Sequence, residues 1–226
     1  MNARASQILE AVIQEFIDTG EPVSSGWLYQ KYDFGIKPAM IRLELDALED
    51  GGYLEQPHHS AGRVPTDVGY EFYAERALAA AANRVAAAHM NRANALRTML
   101  QRGAWNDLAN ALSEELGLLS VAVDPAAATI YKTGLEALIE NLNWQDRDEL
   151  RSVIRDFESV GERASLAAER IGEPQVFIGK KSPVTESENL SVVCNTYQVG
   201  DATVSIFAIG PKRMDYKKVI NFFTNL

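Results

Sequence analysis

The sequence predicts an α+β protein in three consecutive parts, and three observations carry that prediction. Apolar residues recur at helical spacing as far as Leu48 and then give way to two short extended runs. A stretch dense in alanine follows, with no glycine between Gly69 and Gly103. Beyond it, short apolar runs rich in β-type residues are mixed with amphipathic helical ones, without a strict strand–helix alternation.

Taken in order, Ile8, Leu9, Val12, Ile13, Phe16 and Ile17 line one face of a helix over 4–18, which Gly20 ends and Pro22 follows. Ser24 can cap a second, short helix carrying Leu28, Tyr29 and Tyr32. Asp33-Phe34-Gly35 is a turn signal. A third helix has Pro38 in its first turn, a buried stripe of Ile41, Leu45 and Leu48, and Gly51-Gly52 at its end. Extended runs Tyr53–Gln56 and Arg63–Pro65 flank His58-His59-Ser60-Ala61-Gly62. Thr66 can cap the next helix, with Asp67 in its first turn, where a negative charge suits the helix end.

The connector over 73–105 reads as one long helix with few breakers, dense in Ala77, Ala79 to Ala82 and Ala86 to Ala88. Arg76, Arg84, Arg92, Arg97 and Arg102 suit a solvated face. Leu78, Ala82, Val85, His89, Arg92, Leu96 and Met99 follow the 4-3 spacing of a dimer seam, which His89 and Arg92 interrupt. In the tail, Leu118–Val123, Gln175–Ile178, Leu190–Val199 and Thr203–Ile209 read as strands, with Gly200-Asp201 turning the last two into a hairpin. Leu135–Leu142, Asp146–Phe157 and Ser159–Ile171 read as helices, and Asp215 can cap a last helix carrying Val219, Ile220 and Phe223. No internal repeat is present.

Charge is unevenly divided. The 226 residues carry a formal net charge of -9. Residues 1–72 hold five Lys/Arg against twelve Asp/Glu, a net of −7; residues 73–105 hold five Arg against Glu75 alone, a net of +4. Residues 106–226 hold twelve against eighteen, a net of −6. Such acidity argues against a protein that coats nucleic acid non-specifically. A single cysteine, Cys194, excludes an internal disulfide framework and a Cys-rich zinc site, and its apolar neighbours Val192 and Val193 suit a buried inert thiol. No apolar run approaches the roughly 18 residues of a membrane span. The start, Met1 to Gln7, does not read as a signal peptide, so a cytoplasmic location is expected.

Three helices followed by a hairpin are the parts of a winged helix-turn-helix, in which the third helix enters the DNA major groove and the hairpin lies beside it. Lys37, Ala39, Met40, Arg42 and Leu43 fall on the leading, outward side of that helix. Arg42 can grip a guanine edge or a phosphate; Met40 and Leu43 can meet thymine methyl groups. His58, His59, Ser60 and Arg63 can meet phosphates from the wing. These nine residues are the candidate DNA-binding set. The adjacent histidines point to opposite faces of a hairpin and lack an acidic or thiol partner at ligand spacing, so no metal is expected there. Asp146 and Asp148 suit the first turn of a helix better than a catalytic pair. No phosphate-cradling Gly-rich loop or nucleophile elbow is present, and neither an enzyme nor a cofactor is expected.

One resemblance is specific. Thr19-Gly20-Glu21-Pro22-Val23, Ile41-Arg42 ahead of Leu48-Glu49, Gly52-Tyr53-Leu54-Glu55-Gln56-Pro57-His58, Ser60 through Asp67, and Gly69-Tyr70 resemble the heat-inducible transcription repressor HrcA family. Ile178-Gly179, Tyr197, Ile209-Gly210-Pro211 and Arg213-Met214-Asp215-Tyr216 are similar to that family's C-terminal signature. The resemblance implies a homodimeric repressor with an N-terminal winged helix and a GAF-like domain carrying an inserted dimerising domain. It implies an inverted-repeat operator ahead of chaperone genes and support from a GroE-type chaperonin. The expected domains are therefore a winged helix-turn-helix over 1–72, the basic connector over 73–105, and a truncated GAF-like regulatory or dimerising domain over 106–226. The chain departs from the family in two places. Residues 106–135 lead almost directly into the closing section, so the inserted domain and much of the GAF-like sheet are expected to be absent. Met40 and Leu43 flank Ile41-Arg42, where the family prefers small polar residues and an Asn. The competing readings are a chaperonin-binding or scaffold module that has lost DNA recognition, motivated by the −7 charge and by Leu43, and a GAF-like small-molecule sensor; the Gly210–Tyr216 segment reads as a turn and helix start, with an effector or chaperonin contact through Lys212, Arg213, Lys217 and Lys218 as its alternative.

Overall fold

A computed structural model describes residues 1–82, 90–142 and 147–226. The chain divides into two compact units, Met1–Arg76 and Ala77–Leu226.

In the first unit, Asn2 caps helix α1 (Ala3–Thr19) by accepting the Ala5 N–H at 2.7 Å. Ser24 caps α2 (Ser25–Lys31) through the Trp27 N–H at 3.1 Å. Pro38 opens α3 (Pro38–Asp50), where its missing N–H costs nothing. Ile8, Leu9, Val12 and Ile13 of α1, Leu28 of α2 and Ile41, Leu45 and Leu48 of α3 are all buried. Each fully buried side chain of this size contributes about 1.5–3 kcal/mol.

Strands β1 (Leu54–Glu55) and β2 (Val64–Pro65) then pair antiparallel, Leu54 opposite Pro65. Val23 and Arg63 exchange backbone hydrogen bonds of 2.9 and 2.8 Å, which ties the segment ahead of α2 to the base of the hairpin. That close approach requires Gly62, because a Cβ there would lie 2.4 Å from the Val23 carbonyl. Helix α4 (Asp67–Ala82) follows, and Thr66 Oγ1 accepts from the Gly69 N–H at 3.2 Å while donating to the Gly52 carbonyl at 2.6 Å. Tyr73 donates to Gln14 at 2.5 Å, and Arg76 pairs with Glu10 and lies over the Phe72 ring, so the start of α4 is bound to α1.

The second unit contains α5 (Met90–Gln101), α6 (Trp105–Leu116), β3 (Leu119–Asp124), β4 (Thr129–Thr133), α7 (Leu135–Asn141), α8 (Arg147–Ala168), β5 (Gln175–Ile178), β6 (Leu190–Val199), β7 (Ala202–Pro211) and α9 (Tyr216–Thr224). The strands form one antiparallel sheet in the order β4-β3-β7-β6-β5. Alternation along each strand separates two faces. Leu119, Val121 and Val123, with Val192, Cys194, Phe207 and Ile209, meet Leu138 of α7 and Val153, Val160 and Ala164 of α8 in one apolar core. The other face packs α6 and α9: Trp105 Nε1 donates to Asp124 at 2.9 Å, and the Tyr216 hydroxyl lies 2.8 Å from Ser191 Oγ.

Several expectations change here. The two helices expected over Asp146–Phe157 and Ser159–Ile171 are one helix, α8. Ser159 does not cap a new helix; its hydroxyl donates to the Arg155 carbonyl at 2.9 Å within the continuing one. Within 106–135 the structure adds α6 and β4 to the strand expected at Leu118–Val123, which is β3, and the sheet among the described residues has five strands. β4 escaped the sequence pattern because it is an edge strand, half-buried and half-exposed, with charged Lys132 inside it. Along the connector, the described residues are helical over Asp67–Ala82 and Met90–Gln101. Arg84, Val85, Ala86 to Ala88 and His89 lie outside the described residues, as do Asp146 and the side chain of Arg92. No helix among the described residues is long and apolar enough to cross a membrane.

Candidate nucleic-acid interface

Helix α3 has two faces. Ile41, Leu45 and Leu48 turn inward, which leaves Lys37, Ala39, Met40, Arg42 and Leu43 exposed. Met40 is 44% exposed and Leu43 58%, high values for large apolar side chains. Among the described residues Arg42 has no hydrogen-bond or ion-pair partner.

The loop between β1 and β2 carries the second group. His58, His59 and Ser60 are exposed. Gln56 shapes this loop from beneath, its amide donating to the His59 carbonyl at 3.2 Å and the Ala61 carbonyl at 2.8 Å. Arg63 differs from its neighbours. Its side chain is only 12% exposed, and Nη2 sits 2.7 Å from Asp46 and 2.8 Å from Glu49, both on α3. The guanidinium therefore clamps the base of the β1–β2 hairpin to the third helix. Its Nε is shut from solvent with no hydrogen-bond partner among the described residues.

Between these groups lies a cleft of about 380 Å³, lined by Ser24 and Ser25, by Arg42 and Asp46 of α3, and by Gln56 and residues 59–63 of the hairpin. The structure thus brings together Arg42, His59, Ser60 and Arg63, and adds Ser25, Asp46 and Gln56, which the sequence pattern did not mark.

A further residue holds the helices in place. Glu15 of α1 is 1% exposed, and its carboxylate accepts from Trp27 Nε1 at 2.8 Å and the Tyr32 hydroxyl at 2.5 Å, with Lys31 Nζ at 2.6 Å. Burial alone pushes the Glu15 carboxyl up, but Lys31, Tyr32 and Trp27 together outweigh it and hold the group below its ordinary value. Burial and the Glu15 carboxylate raise Tyr32 in turn.

In the second unit, Cys194 lies in the core with its Sγ 3.7 Å from the Gln175 carbonyl, and burial pushes the thiol up to about 12. The Gly210–Tyr216 segment is a built turn. Met214 and Tyr216 are buried, the Tyr216 hydroxyl donates to the Lys212 carbonyl at 2.6 Å, and Asp215 caps α9 through the Lys218 N–H at 2.9 Å. Lys218 Nζ donates to the Glu115 carbonyl at 2.7 Å. Among the described residues no group of three or more His, Cys, Asp or Glu is placed to hold a metal.

A family model described as the HrcA protein C-terminal domain matches residues 71–220. The chain belongs to the HrcA family. Among curated relatives, the heat-inducible transcription repressor HrcA of Desulforamulus reducens is 49% identical over 75 residues, 33% of this chain and 22% of that protein. That of Carboxydothermus hydrogenoformans is 51% identical over 75 residues, again 33% and 22%. That of Clostridium perfringens is 53% identical over 73 residues, 32% and 22%. The matched part of this HrcA-family chain thus spans about a fifth of the length of those relatives. A solved structure, described as the crystal structure of a hypothetical protein at 2.2 Å resolution, superimposes with a TM-score of 0.76 at 17% identity, covering 100% of this chain and 96% of that one. That likeness is one of fold.

Proposed function

We propose that this HrcA-family chain is a sequence-specific DNA-binding transcription repressor. In this reading Met1–Arg76 is a winged helix-turn-helix and α3 its recognition helix, with Lys37, Ala39, Met40, Arg42 and Leu43 meeting the major groove. His58, His59 and Ser60 meet the backbone from the wing, and Arg63 holds that wing in register. The observation that carries the reading is α3 itself: a helix pinned by Ile41, Leu45 and Leu48 presents two large apolar side chains and an unengaged guanidinium to solvent beside an exposed hairpin loop. The titles of the relatives, heat-inducible transcription repressors, support the regulatory role. The proposal includes an inverted-repeat operator ahead of chaperone genes, a homodimer to occupy its two half-sites, support by a GroE-type chaperonin, a GAF-like second unit, and a cytoplasmic location. It assigns no catalysis. Mobility-shift titration on chaperone-promoter DNA tests it: a retained complex weakened by Arg42→Ala is expected, and no retention at low salt sinks it.

A second reading rests on the −7 charge of residues 1–72 and on Trp27 and Tyr29, exposed as Leu43 is in the same unit. In it the first unit is a protein-interaction module, its exposed Trp27, Tyr29 and Leu43 being taken singly and not as one patch. Pull-down of a chaperonin by a chain that retains no DNA would favour it.

A further inference from the structure

We infer that the cleft between Ser24–Ser25, α3 and the wing seats one DNA backbone phosphate, with Arg42 as its cation and Ser25, His59 and Ser60 as its polar wall. Base choice then falls to Met40 and Leu43. This inference rests on the DNA-binding reading above and divides the labour within it.

Arg42, Asp46 and Glu49 stand at i, i+4 and i+7, so they form one ridge of α3. Asp46 and Glu49 both reach Arg63 at the base of the wing, which identifies that ridge as the wing-facing one. Ala39, Met40 and Leu43 form the neighbouring ridge. A guanidinium lying along the wing-facing ridge stands at the margin of the recognition surface, where a helix in the major groove meets the sugar-phosphate strand and not the base edges.

The chemistry of the cleft agrees. Its wall is hydroxyl, amide, imidazole and guanidinium, with Arg42 unengaged among the described residues. A phosphodiester accepts two parallel N–H bonds from a guanidinium and further bonds from hydroxyl donors. The one carboxylate lining the cleft, Asp46, would repel it, but Arg63 neutralises Asp46 at 2.7 Å. Arg63 is thus a positioning residue: it sets the wing and masks an acid. Met40 and Leu43 offer no hydrogen bonds and suit thymine methyl groups, so the preferred site should be rich in A·T pairs opposite them.

The test uses the full chain. Selection from a random duplex library yields a preferred site, and the wild type, Arg42→Ala, Arg42→Lys and a Met40→Ala/Leu43→Ala double variant are titrated against that site and a scrambled duplex over a series of salt concentrations. The expected result is that Arg42→Ala weakens both duplexes by the same factor, about tenfold, and lowers the salt slope by about one, while the double variant weakens only the preferred site. Arg42→Lys keeps the slope. One methylphosphonate substitution, which neutralises a single phosphate, should weaken the wild type and leave Arg42→Ala unchanged. If Arg42→Ala instead alters the selected sequence at an unchanged slope, or responds to every methylphosphonate as the wild type does, Arg42 reads a base and the inference is overturned. If the wild type retains no duplex at low salt, the DNA-binding reading fails first, a result distinct from either of these.

Discussion

At Glu15, one buried carboxylate joins α1 to α2 through Trp27, Lys31 and Tyr32. Removing it leaves two donors and a cation without their acceptor, so Glu15→Ala should cost about 3 kcal/mol in urea unfolding of the first unit. Its lowered folded value also fixes a pH dependence. A carboxylate easier to ionise in the folded state stabilises that state above the ordinary carboxylate range, and the contribution is lost as pH falls through the depressed value. Stability should therefore drop on acidification, and Glu15→Gln should flatten the profile; an unchanged profile would remove Glu15 as its source. Cys194 makes the opposite kind of prediction. Buried and held as a thiol, it should resist iodoacetamide at neutral pH and react once denaturant opens the core. The thiol's burial was legible from its apolar neighbours. Glu15 was not, because its partners lie 12 to 17 positions away and its spacing looks like an ordinary position at the edge of an apolar face.

Among the elements, the hairpin and α8 show what local pattern reveals and conceals. The caps at Ser24, Thr66 and Asp215 and the proline that opens α3 were readable because such signals are chemistry within four residues. The close packing of Gly62 on Val23 was not, since it joins segments about forty residues apart. Gly62→Ala should displace the wing and cost at least about 1–3 kcal/mol, visible as a lowered denaturation midpoint and weakened DNA retention. In α8, a serine was expected to start a helix, yet the apolar stripe through Val153, Val160 and Ala164 runs on beneath it. Asp156 explains part of the disguise: this carboxylate faces inward because it accepts the Glu186 and Ser187 N–H groups at 2.8 Å each and pairs with Arg163 at 2.7 Å. Ser159→Ala should leave helicity by circular dichroism intact, and a loss would restore the two-helix description.

For the whole molecule, a net charge of -9 makes any DNA complex depend on a few placed contacts. Its affinity should fall linearly with the logarithm of salt, by about 0.9 for each phosphate engaged. In the proposed homodimer, the paired first units should select half-sites about 10 base pairs, or multiples of that, from centre to centre, and an unrepeated half-site would count against pairing. Composition, charge partition, helical periodicity, capping and the wing motif were all set by the order of residues alone, because each acts over a few neighbouring positions. That local information determined the three-helix start, four of the five strands in the second unit's sheet among the described residues, and the outward face of α3. Only tertiary structure decided that Arg63 is a clamp on α3, that Asp46 and Glu49 turn to Arg63 and leave Arg42 unengaged among the described residues, and that α6 and β4 complete the second unit's layers. Those outcomes depend on contacts between distant segments, where burial and ion pairing choose the partner and sequence spacing carries no record of the choice.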